Sequence, residues 1–349
     1  MTHTRELRVR IGSFTSAGGR GITTAAVDGH TGELTVLGHT DVLADPSYLA
    51  AAPDGSVVYA VSEGERGLAM AFRPDPRGLV PLGAPVETGG AGPTHLAVAG
   101  RLLLTAHYTS GGIGALPLGP DGAPHAPAAV LAHHGSGPDP DRQRGPHAHQ
   151  VLPDPSGRWV LAVDLGTDSV RVCAAPAPDG AAPVPHGETA LRPGSGPRHL
   201  AFHPAGGLLY VLHELRPQLT VCRWDGEAGE VRPAREVPAP AEGATGAVRA
   251  YPSAVAVSPD GRFLWAAVRG TDTIAAYSLA DPAAPALAGT VACGGRWPRD
   301  LVLDPSGRRL YAANERSGDV TWFDVDPATG VPRRAGSVPV PAATCVLFA

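Results

Sequence analysis

Residues 198–237 read RHLAFHPAGGLLYVLHELRPQLTVCRWDGEAGEVRPAREV. Apolar runs near 199–203, 208–213, 219–224 and 234–237 are rich in β-branched and aromatic residues and bounded by Gly, Pro and Asp, the pattern of short strands joined by turns. The turn Pro204-Ala205-Gly206 separates the first two runs. The same device recurs at Pro53-Asp54-Gly55, Pro155-Ser156-Gly157, Pro259-Asp260-Gly261 and Pro305-Ser306-Gly307, with a shortened form at Ala99-Gly100. Successive turns lie about 45 to 57 residues apart, which suits one four-stranded blade of a propeller. Six such units are visible.

The chain ends supply a seventh. Residues 8–15, 21–27 and 34–40 read as second, third and fourth strands without a first, and Cys345-Val346-Leu347-Phe348 reads as a lone first strand. Pairing them closes the ring, leaves neither terminal sheet incomplete and removes an exposed edge. The expected fold is all-β: a seven-bladed propeller forming one domain over residues 1–349. A β-sandwich array is the rival, but it leaves the incomplete units at both ends unexplained. Pro-rich inserts at 139–145 and 175–186 read as loops, because strand patterning resumes on either side.

Composition agrees. With 45 Gly, 37 Pro and 43 % hydrophobic residues in 349, the chain can bury a large core between many turns. It contains no uninterrupted apolar run of membrane-spanning length, and residues 1–16 carry no apolar signal core, so a cytoplasmic, non-membrane protein is expected. The net charge is −5 and no basic stripe is present, which argues against nucleic acid as a partner. All 28 basic residues are arginine; without lysine, Schiff-base chemistry and a phosphate-loop lysine are excluded. The four cysteines, Cys173, Cys222, Cys293 and Cys345, are far apart and lie in or beside apolar runs, so they read as small buried hydrophobes.

Stacking the units on their turns gives a ring of equivalent positions. The residue opening the first strand is Ser47, Thr94, His149, Arg198, Ser253 or Arg299 in successive units; the residue closing the second is Glu63, Tyr108, Leu165 (after Asp164), Glu214, Arg269 or Glu315. In an antiparallel hairpin these two positions share one edge, and first strands surround a propeller's axis. Both sets should therefore converge on one mouth of the channel. Buried charge needs mutual pairing or a polar ligand. Bridging between neighbouring blades is the bland reading for any one pair, whereas the whole ring points to a site. His147 and His149, two apart, would share one face of a strand. No third ligand has recognisable spacing, so no metal and no cofactor is expected, and a base or substrate-binding histidine is the better reading. A Gly-x-Ser-x-Gly elbow, a phosphate loop and a dinucleotide fingerprint are all absent.

Several ordered motifs now carry a resemblance: Gly135-Ser136-Gly137-Pro138, Arg142-Gln143, Gly145-Pro146-His147-Ala148-His149, Asp164-Leu165-Gly166-Thr167-Asp168, residues 194–204 from Gly194 to Pro204, His213-Glu214, Arg269-Gly270 with Asp272, and Pro298-Arg299-Asp300. Together they resemble, over essentially the full length, the seven-bladed lactonase family that includes propeller-type 6-phosphogluconolactonases and the 3-carboxy-cis,cis-muconate lactonizing enzyme. The resemblance implies a catalytic set of His149 (or His147), Arg198, Glu214 and Arg269, the places that the repeats select independently. His147, Glu63, Tyr108, Arg299 and Glu315 are expected to bind substrate. Tyr251-Pro252-Ser253-Ala254 departs from the family's acidic, histidine-bearing strand start. The expected activity is hydrolysis of a small anionic or sugar lactone resembling 6-phosphogluconolactone, with Glu214 or His149 taking the proton. A muconate-type cycloisomerase and a non-enzymatic binding scaffold are the alternatives; oligomeric state is left open.

Overall fold

The computed structural model describes residues 7–127, 129–175, 182–240 and 249–349. Their strands form seven antiparallel sheets. We number these as blades from the N-terminus. Blade 1 pairs Ala343–Phe348 with Arg8–Ser13, followed by Ile22–Val27 and Leu34–Thr40. The first strands of blades 2 to 7 are Tyr48–Ala51, Pro93–Ala99, Ala148–Pro153, Pro197–Phe202, Tyr251–Val257 and Pro298–Leu303. Each first strand touches the next, and the last touches Ala343–Phe348, so the circle is complete. Closure by the C-terminal strand is as the sequence predicts, with Val9 opposite Phe348 and Gly12 opposite Cys345.

Seven apolar clusters fill the seven gaps between adjacent sheets. Val9, Tyr311, Trp322 and Val346 join blade 7 to blade 1; Ile22, Val58, Phe72 and Cys345 join blade 1 to blade 2. Alternating side chains on each strand supply one face to each neighbour, so both faces of a blade are buried. All four cysteines are free and buried. Burial pushes the Cys173 thiol up to about 11 and those of Cys222, Cys293 and Cys345 to about 12, as befits small hydrophobes.

The recurrent turn has a backbone reason. Gly55, Gly157, Gly206, Gly261 and Gly307 all take φ between 68° and 77°, a left-handed conformation that a side chain resists. Two sequence-level expectations need correction. The 175–186 insert is shorter than expected, because the fourth strand of blade 4, Val184–Ala190, begins inside it; residues 176–181 lie outside the described residues. The second strand of blade 1 ends at Ser13, and Thr15–Ala17 forms a 3₁₀ turn instead. Among the described residues no helix is long and apolar enough to cross a membrane.

Candidate active site

Six of the seven first strands carry one backbone irregularity at the mouth-side end of their hairpin, blade 2 being the exception. In blade 5, Pro197 pairs with His213 and His199 with Leu212, which leaves Arg198 as an extra residue. The same one-residue shift leaves out Thr94, His149, Arg299 and Thr344 in blades 3, 4, 7 and 1, and falls at Ser253-Ala254 in blade 6. A β-bulge of this kind unpairs a residue from the ladder and re-aims its side chain. The bulge residues then bond from blade to blade. Thr94 Oγ1 donates to His149 O at 3.0 Å, Arg198 Nη1 to Ser253 O, and Ser253 Oγ to Pro298 O at 2.6 Å. The following residue secures the next first strand: Gln150 Oε1 accepts from Leu200 N–H at 2.7 Å, and Asp300 Oδ2 from Val346 N–H at 2.9 Å.

Turn aspartates hold the bulged corners of blades 4, 5 and 7. Asp168, in left-handed conformation at φ 53°, accepts the N–H groups of Gly194 and Gly196 at 2.7 Å each, holding the loop that leads into Pro197-Arg198. Asp272, at φ 56°, accepts from Trp297 N–H at 2.8 Å ahead of Pro298-Arg299. The repeated Gly-Thr-Asp at 166–168 and 270–272 thus has a mechanical role. Asp164 does the same for the histidine corner, accepting from the N–H groups of His147, Gly166 and Thr167 and pairing with His133 Nδ1 at 2.6 Å. A Cβ on Gly166 would sit 1.9 Å from Gly145 O, so only glycine admits this close approach.

Glu214 is the centre of the cluster. Its carboxylate meets Arg142 Nη2 at 2.6 Å, Arg269 Nη2 at 2.6 Å and Arg198 Nε at 3.1 Å; the last is a charge contact outside hydrogen-bond alignment. Burial opposes ionisation of Glu214, but Arg269, Arg198 and Arg142 outweigh it and hold its carboxyl well below the usual range. Burial and Arg269 lower the Arg198 guanidinium to about 9, which still leaves it cationic at neutral pH. Arg142 also donates to Tyr108 Oη at 2.9 Å. A second cluster joins Arg299 to Glu63 and Glu315 at 3.2 Å each. Burial disfavours the Arg299 charge, and the two glutamates outweigh that penalty.

His149 feels the charge of both clusters. Burial first, then Arg198, Arg299 and Arg269, pull its imidazole well below the ordinary histidine range, and its Nδ1 has no hydrogen-bond partner. Its ring is edge-on to Tyr108 at 5.7 Å and packs against His199 at 5.4 Å. His147 stacks on Tyr108 at 4.5 Å and binds its carbonyl through Nδ1 at 2.5 Å. The expectation that His147 and His149 share a strand face fails: the strand starts at Ala148 and the bulge at His149 breaks the alternation.

His149, Arg198, Glu214 and Arg269 therefore meet, with Tyr108 beside them and Arg299, Glu63 and Glu315 forming the neighbouring group. Sequence reasoning left Arg142 out of the site set; it sits in the 139–145 insert, and a guanidinium in a loop feeding the mouth was the available signal. It also passed over Tyr48, His95 and His199. Each directly follows a ring position as a polar residue in an apolar strand, and the Tyr48 and His95 rings meet at 4.2 Å, tilted by 34°. Among the described residues no group of three His, Cys, Asp or Glu side chains is disposed to hold a metal.

The profile of the family described as "Lactonase, 7-bladed beta-propeller" matches residues 8–348. The chain belongs to that family. It is 32 % identical to a Bacillus subtilis protein named 6-phosphogluconolactonase, over 97 % of each chain. Among solved structures, the Pseudomonas aeruginosa periplasmic gluconolactonase superposes with a TM-score of 0.91 at 28 % identity, over 98 % of each chain. A Lactobacillus plantarum protein matches with a TM-score of 0.91 at 27 % identity, over 99 % of each chain.

Proposed function

We propose that this lactonase-family protein hydrolyses a small sugar lactone of the 6-phosphogluconolactone type, at the mouth where the bulges gather His149, Arg198, Glu214 and Arg269. The observation that carries the reading is the site's arrangement: a buried imidazole whose Nδ1 has no hydrogen-bond partner, close to the Arg198, Arg269 and Arg299 guanidiniums. Lactone hydrolysis needs a base for water and a donor for the oxyanion that forms at the carbonyl. His149 serves as the base. Burial is the first cause of its low proton affinity and the cations the second; an anionic substrate offsets the cations and restores part of the basicity. Water adds to the carbonyl carbon, its proton passes to His149, and Arg198 faces the developing oxyanion. Collapse of the tetrahedral adduct breaks the bond to the ring oxygen, which takes the proton back from His149.

Glu214 is not the base in this scheme. Both its oxygens are engaged and its carboxyl is held ionised. Its role is to fix the three guanidiniums, whose planar forks suit carboxylate and phosphate groups. A cytoplasmic location remains part of this proposal; the Pseudomonas relative is named periplasmic, so cell fractionation decides that point. The kinetic test compares wild type with Arg198→Ala on 6-phosphogluconolactone, gluconolactone and a muconate. The expected result is lactone turnover by wild type and a drop of about 10²- to 10³-fold in kcat for the variant, with the circular-dichroism spectrum unchanged. Undiminished lactonase activity in the variant removes Arg198 from the mechanism, and turnover of the muconate alone replaces hydrolase by cycloisomerase.

A further inference from the structure

The mouth is electrically divided. On blades 4 to 6, Arg142, Arg198 and Arg269 share the single carboxylate of Glu214 and leave a positive excess. Across blades 7 and 2, Arg299 faces two carboxylates, Glu63 and Glu315, and leaves a negative excess. The two halves also differ in tightness and access. In the basic half, Arg198, Arg269 and Glu214 are 2 %, 7 % and 6 % exposed, the two shortest contacts are 2.6 Å, and only Arg142, at 33 %, is open. In the acidic half the contacts are 3.2 to 3.3 Å and the side chains of Glu63, Arg299 and Glu315 are 17 % to 21 % exposed. Glu315 reaches Arg299 through Oε2, which leaves Oε1 as an acceptor for a ligand.

A second observation falls on the acidic half. Ser47 opens blade 2 at the ring position, at the hairpin end between the Tyr48–Val61 pair and the bond from Glu63 N–H to Asp45 O. Its side chain is buried at 2 % exposure, and Oγ has no hydrogen-bond partner. A buried hydroxyl without a partner is uncommon and signals a missing water or ligand group. Partly exposed carboxylates, a guanidinium with loose contacts and an unsatisfied hydroxyl together form a set of acceptors and donors suited to vicinal hydroxyls. The Arg316 charge that follows Glu315 is engaged on the Trp297 ring 3.4 Å away, the ring that Arg269 also approaches, so it adds to the basic side.

We infer that Glu63, Arg299, Glu315 and Ser47 form a hydroxyl-reading subsite, and that Arg142 with Tyr108 receives the substrate's anionic substituent on the opposite side. The lactone is thereby oriented across His149 with its polyol toward blades 7 and 2. This assignment rests on the lactonase reading above. Arg142 and Glu315 are specificity residues under it.

The test uses three six-membered lactones: 6-phosphogluconolactone, gluconolactone, which lacks the phosphate, and δ-valerolactone, which lacks phosphate and hydroxyls. Arg142→Gln should lower the ratio of kcat/KM for the phosphorylated over the unphosphorylated sugar lactone by about 10- to 100-fold, since one charge-assisted contact is lost. Glu315→Gln should lower the ratio for gluconolactone over δ-valerolactone by about tenfold, mainly through KM. A wild type that turns over none of the three lactones overturns the functional reading itself. Turnover with either ratio unchanged in its variant overturns the division of the mouth and leaves that reading standing.

Discussion

Five buried histidines set the acid limit of this fold. His95, His107, His149, His199 and His213 are each at most 5 % exposed. Burial lowers His95 and His213 to about 3 and His107 to about 4, and carries His149 and His199 well below the ordinary value. The groups are depressed in the folded state, so their stabilising contribution is complete above the unfolded value of about 6.5. It is lost as pH falls, because the unfolded chain takes up protons that the folded chain refuses. Between pH 7.5 and 5.0 each of His95, His107 and His213 forfeits about 2 kcal/mol by linkage. His95, His107 and His213 together forfeit about 6 kcal/mol, a large share of the stability of many domains, and His149 and His199 act in the same direction. Asp300, whose carboxyl burial pushes up, works in the opposite sense and offsets part of this. Glu214 titrates far below this window.

The assay is urea unfolding followed by tryptophan fluorescence at half-unit steps of pH. The midpoint should fall steeply below pH 6.5, and His213→Gln should flatten the slope by one proton. His213 is suitable because only Nε2 is bonded, to Thr220 Oγ1 at 2.7 Å. A midpoint that stays level from pH 7.5 to 5.0 would refute the reasoning, since it would require these histidines to be hydrated or paired in the folded protein.

Two further predictions concern the site. Glu214→Gln leaves three guanidiniums without their counter-charge and should cost about 3–5 kcal/mol in unfolding free energy; a change below about 1 kcal/mol, the exposed-pair range, would mean that the cluster is open to water. Asp168→Ala should lower lactonase kcat by about 10²-fold by letting the Arg198 bulge shift, and Asp168→Asn should restore part of it by supplying one acceptor oxygen. Equal loss in both variants would contradict the positioning role.

Much of this architecture is legible in the sequence because a tight turn fixes hairpin register. Once Pro-x-Gly turns are aligned, the start of one strand and the end of the next fall on a common edge, and Arg198 comes opposite Glu214 without any coordinates. Closure is legible for a similar reason: the N-terminal unit lacks one strand and the C-terminus has one to spare. The bulges are not legible. A single unpaired residue leaves the apolar alternation nearly intact, yet it decides which way His149 points and separates it from His147. Arg142 was hidden because a loop's path back to the mouth depends on long-range contacts such as Gln143 Nε2 donating to Leu165 O. The weak basicity of Glu214 was equally out of reach, since it follows from three partners drawn from distant parts of the chain.

The central claim is that the bulged ends of the first strands build the lactone site at one mouth. A crystal structure with 6-phosphogluconate, the hydrolysis product, tests it most directly. The account predicts the sugar acid at that mouth, its carboxylate beside His149 and Arg198. Product bound at the other end of the channel, or against the outer strands of the blades, would contradict it.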